Sequence, residues 1–312
     1  MSHPTTDHRH TSSCGHAHGH AHGLPPERFD RAMAVGVGLN LAFVGVETAC
    51  GLWADSLALL ADAGHNAGDV VGLLLAWGAS RLARLAPSAR YTWGLRRATI
   101  YAALANATLL LAACGAIAWE AVTRLRSPEP VAGGTVIVVA AIGVVINTLT
   151  ALLFARGHRD ANVRGAFLHM AADAAVSAGV VAAGIAIMLT GRTWIDPVVS
   201  LVVAAAIVAG TWGLFRESID LALDAVPRGI ETGRITAALA ALPGVVDVHD
   251  LHVWGASTSE TSLTVHLTVG SDVDRDVVLQ AAVEMLRHDH HVTHTVIQVE
   301  GTEAACRSRS GC

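Results

Sequence analysis

Charged residues are scarce in this sequence. Aspartate, glutamate, lysine and arginine make up 15% of the 312 residues, whereas 52% are apolar and the mean hydropathy is +0.47. In ordinary soluble globular proteins about a quarter of the residues are charged, so this composition excludes that class and indicates a membrane protein. The formal net charge of -5 says little about partners. We expect a lipid bilayer among them and no nucleic acid.

Cysteine is also sparse, and its five copies are scattered without a CxxC pair: Cys14, Cys50, Cys114, Cys306 and Cys312. We therefore expect no disulfide framework. The first 32 residues are polar and rich in histidine, with no apolar stretch ahead of the first long apolar run. A secretory signal peptide is accordingly not expected.

Long apolar runs, by contrast, dominate the chain. Each of six runs is close to the roughly 20 residues that a helix needs to cross a bilayer, and they cover residues 33–53, 57–82, 99–123, 135–155, 166–190 and 197–215. We predict an all-α transmembrane domain of six helices over residues 33–217. A small α+β cytoplasmic domain follows over residues 228–301, and residues 1–32 and 302–312 are predicted to be disordered tails.

Lysine is absent, and the arginines are distributed unevenly between the predicted loops. Loops on one side of the membrane carry Arg81, Arg84, Arg90, Arg96, Arg97, Arg156, Arg159 and Arg164, whereas the other side carries Arg124, Arg126 and Arg192. Because cytoplasmic loops are enriched in positive charge, the richer side is predicted to be cytoplasmic. Both termini then lie in the cytoplasm, which agrees with an even number of spans.

Two short polar stretches interrupt the apolar runs, His65-Asn-Ala-Gly-Asp69 and His169-Met-Ala-Ala-Asp173. In each, a spacing of four places histidine and aspartate on one face of a helix. Two such faces supply two nitrogens and two carboxylates, which suits a tetrahedral zinc ion. An ionised aspartate at the bilayer centre costs roughly 2.5–3.5 kcal/mol, so these side chains must face the bundle interior. A lone buried histidine is usually structural, but the repeated pattern favours one metal site.

Other polar groups accompany these stretches. Glu47 lies in the first predicted span and Asp62 in the second. For Glu47 we favour hydrogen bonding across the bundle over a role in transport. The N-terminal tract contains His3, His8, His10, His16, His18, His20 and His22, and two interpretations stay open for it: a loose cytoplasmic metal collector, or a disordered tail with incidental affinity.

The C-terminal part follows an α-β-β-α-β pattern, with helices at 231–241 and 275–288 and strands at 245–254, 261–269 and 293–299. This order predicts a two-layer domain with its helices on one face of a mainly antiparallel sheet. Period-two alternation puts Leu263 on the buried face of the second strand and His266 on the other. On a straight first strand, His249 and His252 would point to opposite faces. A second metal site from His249, His266 and Glu300 is plausible, whereas the histidines at 288, 290, 291 and 294 fit a solvated loop equally well.

Three stretches together resemble the zinc-type branch of the cation diffusion facilitator family. They are Ser56-Leu-Ala-Leu-Leu-Ala-Asp62-Ala-Gly-His65-Asn-Ala-Gly-Asp69, Asn162-Val-Arg-Gly-Ala-Phe-Leu-His169-Met-Ala-Ala-Asp173 and Val248-His-Asp-Leu-His-Val-Trp254. The resemblance covers about residues 33–300 and implies six helices, a ferredoxin-like cytoplasmic domain and a homodimer. It also implies that the transport site is His65, Asp69, His169 and Asp173, with a regulatory cytoplasmic site that matches best at His249 and His266.

The predicted function is therefore efflux of divalent zinc from the bacterial cytoplasm in exchange for protons, by alternating access, with cadmium and cobalt as further candidates. Zinc is then the transported substrate and not a cofactor. There are two alternatives. A membrane metal sensor would bind zinc without transporting it, but it would not need four ligands in mid-membrane. A membrane metallohydrolase would need an open metal position and a general base, and the H-E-x-x-H signature of that class is absent.

Overall fold

The computed structural model describes the backbone of residues 26–127, 129–154 and 161–302. Within these ranges, the side chains of residues 26–37, 39, 40, 153, 154 and 161–169 fall outside the description. The N-terminal histidine-rich tract and the last ten residues also lie outside the described residues, so their predicted roles stay predictions.

Six long helices precede the C-terminal domain in the described chain: α1 (Pro26–Ala54), α2 (Leu57–Ala83), α3 (Ala98–Arg126), α4 (Gly133–Phe154), α5 (Ala161–Thr190) and α6 (Ile195–Ala222). Their order agrees with the six predicted apolar runs. The first helix begins at Pro26, ahead of the predicted start at residue 33.

Four of the described helical segments are long and apolar enough to cross a membrane: Ala98–Arg126, Gly133–Leu152, Met170–Thr190 and Ile195–Ala222. In α1 the apolar part that is described, Leu41–Ala54, is shorter than a full crossing. Helix α2 is long enough, but His65, Asn66 and Asp69 reduce its apolar character. The candidate metal ligands His65 and Asp69 thus account for part of the difference between the composition of α2 and that of a simple span.

Small residues let neighbouring helices approach closely. A Cβ atom on Gly184 of α5 would lie 3.2 Å from the carbonyl oxygen of Gly133 in α4, and a Cβ on Gly133 would lie equally close to the carbonyl oxygen of Gly184. Glycine at both positions therefore permits backbone contact between α4 and α5, as expected where helices associate by close packing. This contact sets where α5, which carries Asp173, lies in the bundle.

The start of α2 is tied to the start of α6 by a buried carboxylate. Ser56 caps α2 by accepting a hydrogen bond from the N–H of Leu59 at 3.2 Å. The Ser56 hydroxyl in turn donates to Oδ1 of Asp196 at 2.5 Å, and the N–H of Leu57 donates to Oδ2 at 2.7 Å. Asp196 is only 1% exposed. It satisfies N–H groups that a helix start leaves unpaired, and so it fixes the helix that carries His65 and Asp69.

The C-terminal domain contains α7 (Thr232–Ala240), β1 (Val245–Gly255), β2 (Thr261–Val269), α8 (Arg275–His288) and β3 (His294–Gly301). The sheet order is β1-β2-β3, with β1 antiparallel and β3 parallel to β2. Alternate residues of β2, from Leu263 to Val269, pack with Ile235 and Leu239 of α7 and with Leu286 of α8. The predicted α-β-β-α-β order and the buried face of β2 are confirmed.

A bulge in β1 overturns one prediction. His249 pairs with His266 and His252 pairs with Thr264, so three steps along β1 match two along β2. Between them, Asp250 adopts a left-handed conformation with φ of 52°, which absorbs the extra residue as a β-bulge does. His249 and His252 therefore lie on the same face of the sheet. The prediction of opposite faces was wrong because it assumed a straight strand.

Candidate metal centres

Two helices bring three of the four predicted membrane ligands together. His65 and Asp69 lie one turn apart on α2, and Asp173 lies on α5. The Nε2 atom of His65 is 3.0 Å from Oδ1 of Asp173 and 3.9 Å from Oδ2 of Asp69. One ligand atom from each residue lies within 4.8 Å of the other two. Helices α2 and α5 thus bring together one group of atoms that could hold a metal ion.

The spacing of these atoms suits a small divalent ion. Zinc bonds of about 2.0–2.1 Å in a tetrahedron put neighbouring ligand atoms about 3.3 Å apart. The two distances from His65 lie on either side of that value. Only small side-chain movements would separate the observed arrangement from a coordinated one.

His169 is the fourth predicted ligand, and its side chain lies outside the described residues. Its backbone belongs to α5, one turn before Asp173. Whether the imidazole joins the other three ligands therefore stays a prediction. The helical spacing is the only support that the sequence and the described backbone give it.

Burial differs among the three described ligands. Asp173 is 2% exposed, whereas the side chains of His65 and Asp69 keep 15% and 27% of their surface exposed. The ligand group therefore has a buried end on α5 and a more accessible end on α2. Its two carboxylates can balance the charge of a divalent ion, which removes most of the cost of holding that charge in an apolar bundle.

A second set of buried polar side chains lies beside these ligands. The amide of Asn66 donates to Oε2 of Glu47 at 3.2 Å, and the hydroxyl of Ser177 donates to Oδ2 of Asp62 at 2.7 Å. All four residues are at most 2% exposed. The prediction that Glu47 forms a hydrogen bond across the bundle is confirmed, since Glu47 lies on α1 and Asn66 on α2.

The C-terminal sheet assembles a second group from the predicted residues His249, His266 and Glu300. Nδ1 of His266 is 3.3 Å from Oε1 of Glu300, and Nε2 of His249 is 3.8 Å from Oε2. The two imidazole rings meet edge to face, with centroids 5.4 Å apart. Register explains the meeting, because His249 pairs directly with His266, and Glu300 pairs with Thr268, two residues further along β2 on the same face.

Sequence reasoning missed the side chains that surround this second group. Asp250 lies between two imidazoles, 2.9 Å from Nε2 of His252 and 3.6 Å from Nε2 of His266. Gln298 donates to Oε1 of Glu300 at 2.7 Å. Such neighbours orient the ligands of a metal site. Nothing in the spacing of residues 249–252 signalled the bulge that brings Asp250 and His252 to this face.

The histidines between the end of α8 and the start of β3 belong to neither group. Among the described residues, the two groups that could hold a metal contain none of His288, His290, His291 and His294. The ring of His294 instead meets the edge of Trp93, with centroids 4.7 Å apart.

Family comparisons agree with this architecture. The family described as Cation efflux transmembrane domain matches residues 33–221, and the family described as Cation efflux protein, cytoplasmic domain, matches residues 227–302. Together the two matches cover both parts of the chain that contain the candidate metal centres.

Several characterised proteins are similar over nearly the whole chain. The cation efflux system protein CzcD of Alcaligenes sp. (strain CT14) is 33% identical over 288 residues, which cover 92% of this chain and 90% of the relative. The zinc transporter ZitB of Escherichia coli (strain K12) is 33% identical over 290 residues, covering 91% and 92%. The cadmium, cobalt and zinc/H(+)-K(+) antiporter of Bacillus subtilis (strain 168) is 31% identical over 268 residues, covering 83% and 85%.

A solved structure, the metal-bound C-terminal domain of the CzcD transporter from Cuprividus metallidurans, is 30% identical and covers 23% of this chain and 99% of its own length, with a TM-score of 0.22.

The match to the transmembrane family covers more than half of the chain, and the relatives are more than 30% identical over most of it. The chain therefore belongs to the cation efflux family, as an integral membrane transporter of metal cations and not an enzyme.

Proposed function

We propose that this protein exports zinc from the cytoplasm in exchange for protons, with His65, Asp69, His169 and Asp173 holding the ion in mid-membrane. The observation that carries the proposal is the meeting of one nitrogen and two carboxylate oxygens from α2 and α5 within 4.8 Å. Four such ligands form a closed tetrahedral set with no open position for chemistry on a substrate. A closed ligand set of this kind suits an ion that is transported and not one that takes part in catalysis.

Ligand chemistry supports zinc as the cargo. Imidazole nitrogen favours zinc, cobalt, nickel and cadmium over magnesium, calcium and manganese, which prefer oxygen ligands. The relatives are named for the same metals: zinc in one case, and cadmium, cobalt and zinc in another. Two aspartates make the loaded site close to neutral, so that the ion can be moved without a large desolvation cost.

Proton exchange follows from the ligand types. A metal binds the deprotonated forms of histidine and aspartate, so a proton and a metal ion compete for the same atoms. Histidine titrates near physiological pH, which makes that competition effective in the cell. In an alternating-access cycle, zinc leaves a site that is open to the outside as protons enter from there. The protonated site then returns to the cytoplasmic side.

The remaining organisation is part of the same proposal. All six helices within residues 33–217 cross a bacterial cytoplasmic membrane, both termini are cytoplasmic, and residues 228–301 form a ferredoxin-like domain through which two chains form a homodimer. The match of residues 227–302 to the cytoplasmic domain of cation efflux proteins supports the last part. His249, His266 and Glu300 hold a regulatory metal ion in this domain.

The test is zinc uptake into inside-out vesicles under an imposed pH gradient. We compare the intact protein with Asp173→Asn, which keeps the shape of the ligand but removes its charge. Glu120→Gln is the control. Glu120 is a half-exposed carboxylate of α3 that is bonded to Arg124, and it does not belong to the ligand group of α2 and α5. Gradient-dependent zinc uptake that is lost in Asp173→Asn and kept in Glu120→Gln is the expected result.

Two other results would overturn the proposal. Zinc uptake that does not depend on the pH gradient would rule out proton exchange. Equal uptake by the intact protein and by Asp173→Asn would rule out the assigned transport site. Parallel assays with cobalt, cadmium and manganese rank the metals. In addition, a protein that only sensed zinc would keep its zinc response after Asp69→Ala, whereas a carrier loses transport.

A further inference from the structure

Two carboxyl groups that are not candidate metal ligands are fully buried in the helical bundle beside those ligands. Glu47 on α1 and Asp62 on α2 are both 0% exposed. Within the described residues, neither forms an ion pair with arginine or histidine. An isolated ionised carboxylate in such a place is very costly. Among the described residues, each of the two has one neutral hydrogen-bond donor, Asn66 for Glu47 and Ser177 for Asp62.

Helical spacing brings the two groups together. Asn66 binds the carboxylate of Glu47, and Asp62 lies one turn before Asn66 on the same face of α2. This arrangement places the carboxyl groups of Glu47 and Asp62 next to each other in the buried interior, where a hydrogen bond can join them. Such a bond requires a proton on one of them, because two carboxylates offer only acceptors.

Each carboxyl group has one oxygen that accepts no hydrogen bond from Asn66 or Ser177, and these two oxygens could share the proton. Oε1 of Glu47 and Oδ1 of Asp62 are buried and have no donor among the described groups. A single proton between the two side chains supplies the donor that both lack. Two adjacent carboxylates in one site cannot both be ionised at little cost, so they titrate as a pair.

The pair is also within electrostatic reach of the candidate transport site. Asp62 precedes His65 by three residues on α2, and its hydrogen-bond donor Ser177 follows Asp173 by four on α5. Asp62 therefore lies about one helical turn from His65 and, through Ser177, one turn from Asp173. Among the described residues, Asn66 binds Glu47, and Asp62 lies one turn before Asn66 on the same face of α2. A divalent ion held by His65 and Asp173 would repel a proton on the pair.

We propose that Glu47 and Asp62 form a proton-binding site of their own, which releases its proton when the divalent ion binds and takes one up when the ion leaves. This inference rests on the proposed zinc–proton exchange. It adds to that exchange a proton that is not carried by any metal ligand. The pair thereby raises the number of protons exchanged per metal ion.

The test measures protons released per zinc ion bound to the purified full-length protein, together with the pH dependence of the zinc affinity. Both are measured in a His249→Ala, His266→Ala background. Adding Asp173→Asn to this background measures the zinc that binds elsewhere in the chain and the protons that this zinc releases. Both amounts are subtracted from the values of the other variants. Linkage requires the zinc dissociation constant to change tenfold per pH unit for each proton released.

Glu47→Gln and Asp62→Asn should each release one proton fewer per zinc ion. The factor by which the zinc dissociation constant changes per pH unit should therefore be ten times smaller than in the intact protein. The double variant should lose no more than either single one, because the proton is shared. Glu47→Asp should restore the lost proton, and Glu120→Gln should change nothing. Gel filtration establishes that each variant is folded. Each single variant tests the inference independently if the other fails to fold.

Equal proton release by the intact protein and a folded Glu47→Gln or Asp62→Asn variant would overturn the inference alone. So would losses that add up in the double variant, since they would mean two independent protons. If the intact protein binds zinc in the membrane site without releasing any proton, the proposed zinc–proton exchange itself fails. The two failures are thus distinguishable.

Discussion

Nε2 of His65 lies 3.0 Å from Oδ1 of Asp173, although 108 positions separate the two residues in the chain. Only the packing of α5 against α2 produces this contact. It joins two helices through atoms of the types that bind metal ions. In the proposed transport site, binding and release of an ion would therefore act directly on the contact between α2 and α5.

Replacing His65 by aspartate should change the choice of metal. The substitution exchanges a borderline-soft nitrogen for a hard carboxylate oxygen next to Asp69 and Asp173. Oxygen-rich sites suit manganese better than zinc, so the ratio of zinc affinity to manganese affinity should fall by about tenfold or more. Competition binding to the purified protein measures the ratio. An unchanged ratio would mean that His65 does not ligate the ion.

Removing Asp196 should weaken the bundle by detaching the start of α2 from α6. Asp196→Ala leaves the buried Ser56 hydroxyl and the Leu57 N–H without their acceptor. Hydrogen bonds to charged groups contribute about 1.5–3 kcal/mol each, so unfolding should become easier by about 2–4 kcal/mol. Thermal unfolding in detergent measures the change. Ser200→Ala is the control, since it removes only a bond to the backbone of Asp196 itself, and an equally large loss there would contradict the assignment.

Gly184→Ala should destabilise the contact between α4 and α5. The new methyl group would lie 2.8 Å from Cγ1 of Ile137 and 3.2 Å from the carbonyl oxygen of Gly133. Overpacking of this kind costs about 1–3 kcal/mol. Gly179→Ala on the same helix is the matched control, because a Cβ there meets nothing within 4 Å. The thermal midpoint should fall for Gly184→Ala only, and equal midpoints for both variants would contradict the close contact.

Glu300→Gln should abolish one bound zinc ion in the cytoplasmic domain of the full-length protein. The carboxylate faces both His249 and His266, and loss of its charge should weaken binding there by at least about 100-fold, more than the loss of an orienting neighbour. His252→Ala should have a smaller effect, because His252 contacts Asp250 and is largely exposed. Isothermal titration counts the sites. Unchanged stoichiometry and affinity in Glu300→Gln would rule out this site.

Much of the architecture could be predicted from local patterns. Apolar runs about 20 residues long indicated the order of α1 to α6, and the alternation of Leu263, Val265, Leu267 and Val269 indicated which face of β2 is buried. The spacing of four in the two H-x-x-x-D stretches gave the candidate ligands. These features depend on residues close in sequence, where helix and strand periodicity are fixed by backbone geometry.

Long-range relations could not be read in the same way. The pairing of His65 with Asp173, the cap that Asp196 provides for α2, and the partners of Glu47 and Asp62 depend on which helices pack together. The one wrong prediction about the cytoplasmic cluster came from a bulge at Asp250. A bulge is set by the register with a neighbouring strand, and the residues of one strand alone do not specify it.

The sequence by itself therefore determined the kinds of element, their order and the ligand types, because periodicity and side-chain chemistry are local properties. The tertiary structure decided which candidate ligands lie close together, which donors bind the buried carboxyl groups and which histidines lie on one face of the sheet. The physical reason is that distances between distant residues follow from side-chain packing, hydrogen bonding and strand register, all of which act only once the chain has folded.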